Sequence, residues 1–292
     1  MTAQQPLIQR LCVIGVGLIG GSLARALREA GAVGEVIGSG RGEENLRAAV
    51  RLGVVDRYDT DPAQAVIGAD VVVIAAPLGA LKSVLHSIVP ALSPATVITD
   101  VGSAKGSVVA DVEQIYGQIP PNFVPGHPIA GTEKSGVEAS FATLFQRRRV
   151  ILTPLAETSA TAHQLVRQMW ALTGAEVVDM GVHHHDAVLA ATSHLPHLLA
   201  YTLVDTLARL DDRAEIFRYA AGGFRDFTRI ASSDPQMWHD ICVANREQLL
   251  EMIELFVTDL GRLAESIRTD DHATVLATFQ RAKRARDNLY LE

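Results

Sequence analysis

Residues 11–21, LCVIGVGLIGG, restrict the possible folds of this chain more than any other stretch. Leu11 to Ile14 read as a buried strand, and glycines follow at Gly15, Gly17, Gly20 and Gly21. The next residues, SLARALREAG, put Leu23, Ala26, Leu27 and Ala30 on one face of a helix. Strand, glycine turn and helix in that order form a dinucleotide-binding fingerprint. Gly15 permits a tight turn, Gly17 lets the backbone approach a pyrophosphate, and Gly20 lets the helix pack close to the sheet. The amides of the first helical turn, around Leu18 and Ile19, then face the phosphates, and the helix dipole adds a favourable field. The alternative is a glycine turn in an unrelated α/β protein.

The rest of the first 180 residues alternates strands with helices. Asp70 to Ala76, DVVVIAA, is a near-continuous β-branched run, as expected of a parallel strand covered on both faces. Further strands are expected at 35–38, 96–101, 150–152 and 176–180. Helices are expected at 44–53, 78–92, 102–117 and 158–172. Residues 120–131, PPNFVPGHPIAG, read as irregular because prolines and glycines break either period. The expected fold is a doubly wound parallel sheet over residues 1–180. From 181 the pattern turns helical, with helices expected at 183–210, 234–268 and 270–289. Their broad apolar faces, such as LLEMIELFVTDLGRL, call for a partner, so residues 181–292 are expected to form a helical substrate-binding and dimerisation domain.

Composition narrows the function classes. A net charge of -7 gives no overall bias toward nucleic acid, and Arg147, Arg148 and Arg149 read as a solvated turn. No uninterrupted run of 18 apolar residues or signal-like leader is seen, so a membrane partner is not expected. Cys12 and Cys242 lie in apolar elements and suit a reducing, cytoplasmic compartment.

A ribose-binding acid is usual about 20 residues after the glycines. Here the position reads Gly38-Ser39-Gly40-Arg41, with no acid. Ser39 and Arg41 would suit a 2′-phosphate. A guanidinium also stacks on adenine, which leaves both NADP and NAD open. Pro77, after the third strand, is placed to wall the cofactor. Ser103 suits either a substrate or nicotinamide hydrogen bond or a helix N-cap, and Lys105 reads as structural. His127 sits in a glycine-flanked loop and suits the role of proton acceptor in an alcohol oxidation. His194 and His197 share a helix face. Arg229 suits a carboxylate clamp or an ion pair with Asp226. The run His183, His184, His185, Asp186 cannot converge as metal ligands from one helix, and no metal is expected.

Taken together, GVGLIGGS (15–22), DVGSAKG (100–106), GHPIAGTEKSGVE (126–138), SHLPH (193–197) and FRDFTRIASSDPQMW (224–238) resemble the prephenate/arogenate dehydrogenase family of tyrosine biosynthesis. The resemblance spans roughly residues 10 to 289. It implies a Rossmann domain followed by a helical dimerisation domain. The implied reaction is oxidative decarboxylation of prephenate or arogenate with NAD or NADP. It puts the catalytic histidine on His127 and its serine partner on Ser103. Thr132 and Glu133 fall at the substrate mouth, and His194 and His197 on the substrate side. Arg229 falls on a carboxylate-binding arginine, with Trp238 near that pocket. The length leaves no room for a fused mutase or regulatory domain, so any tyrosine inhibition is expected to act within these two domains. Two alternatives stand beside this reading. A 3-hydroxyacid or 6-phosphogluconate-type dehydrogenase would need a lysine and asparagine pair where Arg225, Asp226 and Arg229 stand. A non-catalytic dinucleotide sensor would leave His127, the histidine pair and Arg229 unexplained.

Overall fold

The computed structural model describes residues 5–132 and 134–288. Its first half runs β1 (Ile8–Ile14), α1 (Leu18–Glu29), β2 (Val33–Ser39), α2 (Glu43–Arg51), β3 (Arg57–Asp59), α3 (Pro62–Ala65), β4 (Val71–Ile74), α4 (Leu78–Ile88), β5 (Val97–Asp100), α5 (Lys105–Tyr116) and β6 (Phe123–Val124). The six strands form one sheet in the order β3-β2-β1-β4-β5-β6, with every pairing parallel. This is the doubly wound order that places ligands beyond the carboxyl ends of the strands, where the order reverses between β1 and β4.

The apolar runs of β1 and β4 are continuous because both faces of the sheet are covered. Leu11, Val13, Val71 and Val73 enter one core together with Leu23, Leu27 and Trp170. Cys12, Ile14, Val72 and Ile74 enter the other, with Leu81, Leu85 and Phe123. Side chains that alternate across a strand can all be buried only when helices cap both sides.

The expected single sheet needs one correction. Residues 126–179 contribute a second sheet, β7 (Gly126–Pro128), β8 (Arg149–Leu152) and β9 (Glu176–Asp179), with α6 (Ala160–Ala171) between the last two. β7 runs antiparallel to β8, and β8 parallel to β9. The stretch 120–131, expected to be irregular, therefore supplies both β6 and β7. Pro125 separates them, because it has no N–H to continue a ladder.

The helices that follow are α7 (Val182–Leu189), α8 (Leu195–Ala208), α9 (Arg213–Arg218), α10 (Gly222–Thr228), α11 (Pro235–Ala244), α12 (Arg246–Arg268) and α13 (His272–Asn288). A π-helical turn, Ala190–His194, joins α7 to α8. It lies just before Pro196, whose ring cannot be accommodated in an ordinary helical turn. The helix expected over 234–268 is interrupted at Asn245, which leaves the helical conformation at φ -111°. Its side chain bonds to the α7–π segment instead. The continuous run Val182–Ala208 has the length and mean hydropathy of a membrane span, 1.3 over its best window. It nevertheless buries His185, Asp186 and His194 inside the protein.

The chain divides into two compact units, one ending at Asn245 and one beginning at Arg246. The first contains both sheets and α1–α11. The second is the α12–α13 pair, whose two helices pack on each other.

Candidate active site

The glycine turn meets its three expectations separately. Gly15 has φ +98°, and a Cβ there would stand 2.4 Å from the Ala75 carbonyl oxygen. A Cβ on Gly20 would stand 2.4 Å from the Gly15 carbonyl oxygen, so α1 is seated directly on the turn. A Cβ on Gly17 would meet nothing within 4 Å. Gly17 also begins α1, and no side chain caps that helix. Open backbone amides at a helix start form a cradle that fits a dinucleotide pyrophosphate. Leu18 and Ile19 are the first residues of that helix.

Around the cradle, Ser39 ends β2 with its hydroxyl buried and without a hydrogen-bond partner. Arg41 is exposed. The nearest acid on β2, Glu35, is held at the other end of the strand by Arg10 and Arg57. Pro77 is exposed at the start of α4. Ser103 is half-buried between β5 and α5. It does not cap α5: that helix starts after Ala104, and its first amides are taken from another part of the chain.

Those amides lead to the centre of the site. Asp186 of α7 accepts from the backbone N–H of Lys105 at 2.8 Å and of Gly106 at 2.7 Å. Its Oδ1 also lies 2.7 Å from His185 Nδ1. His185 Nε2 lies 2.9 Å from Nδ1 of His127 on β7. His127 is 8% exposed, and His185 is fully buried. Below them Lys105, fully buried, forms an ion pair with Asp100 and donates to the Gly126 carbonyl at 2.7 Å. Asp100 accepts from Gly102 N at 2.7 Å and from Gly126 N at 3.2 Å. Both backbone groups of Gly126 are thus fixed, and with them the strand that carries His127.

The electrostatics follow from burial. His127 is held well below the usual histidine range by desolvation, then by the neighbouring His185, Lys105 and His194. Burial opposes ionisation of Asp186, but the bonds from His185 and from the α5 amides outweigh it and hold its carboxyl below its usual range.

A second cluster lies on the π turn, α8 and α11. His197 stacks on Trp238 with ring centroids 3.6 Å apart, and His194 meets Trp238 edge-on at 6.2 Å. Asn245 Nδ2 lies 3.0 Å from His194 Nδ1 and donates to the Asp186 carbonyl at 2.8 Å. His194 Nε2 and Trp238 Nε1 are both buried without a partner. Desolvation pushes the His194 pKa down to about 4. Arg229 is exposed in the 3₁₀ turn after α10, makes no ion pair with Asp226, and its charge is felt at His197. Thr132 is exposed in the loop after β7, where its hydroxyl accepts from Lys134 N at 3.2 Å. Glu133 lies outside the described residues.

Sequence reasoning missed His185, Asp186 and Asn245 as parts of this site. The His-His-His-Asp run was weighed only for metal, and its use as two inward-facing residues depends on the helix phase. Among the described residues no group of three or more His, Cys, Asp or Glu is arranged to hold a metal ion.

Comparison with known proteins gives consistent matches. Residues 23–179 match the family described as prephenate dehydrogenase, nucleotide-binding domain, and residues 182–281 match prephenate dehydrogenase, dimerization domain. The cyclohexadienyl dehydrogenase of Zymomonas mobilis is 38% identical, covering 95% of each chain. A crystal structure of prephenate dehydrogenase from A. aeolicus, in complex with hydroxyphenyl propionate and NAD+, superposes with a TM-score of 0.90 at 36% identity. It covers 99% of this chain and 100% of that one. Synechocystis arogenate dehydrogenase superposes at 0.81 with 26% identity, covering 96% and 100%.

Proposed function

The chain belongs to the prephenate dehydrogenase family, and from that premise we propose that its chemistry centres on His127. The protein is an NAD(P)-dependent dehydrogenase that oxidatively decarboxylates prephenate or arogenate, and it works as a homodimer. The cofactor when bound supplies the hydride acceptor. Gly15, Gly17, Gly20 and the first turn of α1 would hold its pyrophosphate. Arg41 and Ser39 would receive its ribose end, and Pro77 and Ser103 would border its nicotinamide. We assign the cofactor part to residues 1–180 and the substrate and dimer part to 181–292, in a cytoplasmic protein.

One observation carries the assignment of His127. It is bonded through Nδ1 alone, which leaves Nε2 without a hydrogen bond. A neutral imidazole nitrogen is the group needed to take the substrate hydroxyl proton as the ring carbon loses hydride. The low pKa keeps His127 neutral and ready. Ser103 orients the same hydroxyl. His194, His197 and Trp238 form an aromatic wall with two unpartnered N–H groups, and Arg229, with Thr132 at the mouth, receives carboxylate. Ketone formation opposite the ring carboxylate provides an electron sink. Carbon dioxide then leaves and the ring becomes aromatic, which makes the step effectively irreversible.

The test is a rate comparison of prephenate and arogenate with NAD+ and with NADP+. Turnover of at least one pair is expected, with NADP+ accepted at least as well as NAD+ because no acid ends β2. Failure of all four pairs would remove the reading.

A further inference from the structure

We propose that His185 is the second station of the proton taken by His127, with Asp186 fixing the direction of the relay. The proposal rests on the dehydrogenase reading above and extends it to two residues buried behind the base.

The direction follows from hydrogen-bond chemistry. Asp186 also accepts two backbone amides of α5, so its carboxylate is an acceptor throughout. The 2.7 Å contact to His185 therefore requires the proton on His185 Nδ1. A neutral His185 then has a bare Nε2. The 2.9 Å contact to His127 requires the proton on His127 Nδ1. His127 Nε2 is left as a lone pair. One carboxylate thus sets both tautomers, and the free base faces away from the chain that sets it.

The same chain accounts for the proton during turnover. The substrate hydroxyl gives its proton to His127 Nε2, and the O–H electron pair becomes the carbonyl as hydride leaves the ring carbon for NAD(P)+. His127 passes its Nδ1 proton to His185 Nε2. His127 ends neutral with its proton on Nε2, and His185 ends as an imidazolium beside the Asp186 carboxylate. The charge leaves a position crowded by Lys105 and His194 for one with an anion 2.7 Å away. The charged and titratable groups that face this pair are Asp100 from β5, Lys105 from α5, Asp186 from α7 and His194 from the π turn.

The test uses the full-length enzyme with His185→Gln and His127→Asn. A glutamine amide can still accept from His127 Nδ1 but cannot carry the proton. Expected for His185→Gln is a loss in kcat of about ten- to hundredfold, at or below the low end of the range for losing a proton-handling group. KM for prephenate and cofactor Kd should stay within about twofold. Independently, ¹⁵N-resolved histidine spectra of the unmutated enzyme should show the His127 proton on Nδ1, assigned by its loss in His127→Asn. Wild-type kcat in His185→Gln, or a loss that falls on KM and cofactor Kd rather than on kcat, would overturn the relay, as would a His127 proton on Nε2. An inactive His127→Asn alongside either result leaves the base reading standing. Near-wild-type activity in His127→Asn would remove the base and the relay together.

Discussion

Arg229 is the residue for which the structure removes a competing reading. Its expected competitor, an ion pair with Asp226, does not form, and the guanidinium stands exposed with its field reaching His197. Arg229→Ala should therefore raise substrate KM roughly 10–150-fold, the equivalent of about 1.5–3 kcal/mol for a charged hydrogen bond. Cofactor Kd and Tm should stay unchanged, and Arg229→Lys should recover only part, since an ammonium lacks the two-pronged fork. An unchanged KM in steady-state assays would dismiss the clamp. His194 yields a prediction of the opposite kind, in stability. Its pKa falls from 6.5 to about 4 on folding, so the unfolded chain binds the proton first as the solution is acidified. Stability is complete above pH 6.5 and is lost as the pH falls toward 4. Thermal melts across that window should show a Tm slope that is smaller in His194→Gln. Equal slopes would refute it.

Single elements were legible to differing degrees. β1, α1 and β4 were plain because burial on both faces leaves one possible pattern. β7 was not, because its three residues contain Gly126 and Pro128, and both its pairing with β8 and the hold of Lys105 and Asp100 on Gly126 come from elsewhere in the chain. The cap on α5 was misplaced for a similar reason: Ser103 is the local candidate, but Asp186, far along the chain, occupies the amides. Contacts between segments decide both, and no local period records them. Within the glycine turn, two residues of the same type should behave differently. Gly15→Ala combines a left-handed φ with a Cβ inside the Ala75 carbonyl. It should cost about 2–4 kcal/mol or more from strain and overpacking. Gly17→Ala has free space and should shift stability by no more than about 0.5 kcal/mol. Its methyl would occupy the phosphate approach, so cofactor Kd should weaken about tenfold or more, the loss of one charged hydrogen bond. Denaturant melts and cofactor titrations of both variants would check this. Equal behaviour would contradict the assigned roles.

At the scale of the whole molecule, the α12–α13 pair is the least self-sufficient part. Among its described residues only Leu249 is buried, while Leu250, Leu255, Phe256, Leu260, Leu276 and Phe279 are exposed. Two helices with that much apolar surface need a partner to cover it, and the dimer of this family is the partner expected. Replacing Leu260 and Phe279 together by glutamate should shift sedimentation equilibrium at micromolar concentration toward monomer. A wild-type monomer, or an unaffected double variant, would move the interface elsewhere. The sequence conveyed the apolar excess but not the separation at Asn245, which depends on that side chain bonding to His194 and Asp186.

The Asp100–Lys105 pair also limits which neighbouring sequences natural variation can reach. A buried ion pair can often be exchanged whole for apolar residues without loss, although removing one partner costs about 3–5 kcal/mol. Here that exchange is closed as well. Both charges also serve the backbone of Gly126, and Asp100 serves Gly102, so the apolar double replacement would strand three buried peptide groups. Neither a single step nor a paired jump leads away from this arrangement downhill. Drift can reshape the surface of the sheet domain away from the cofactor cradle while these two positions stay fixed, held by the peptide bond next to His127 rather than by any contact with substrate.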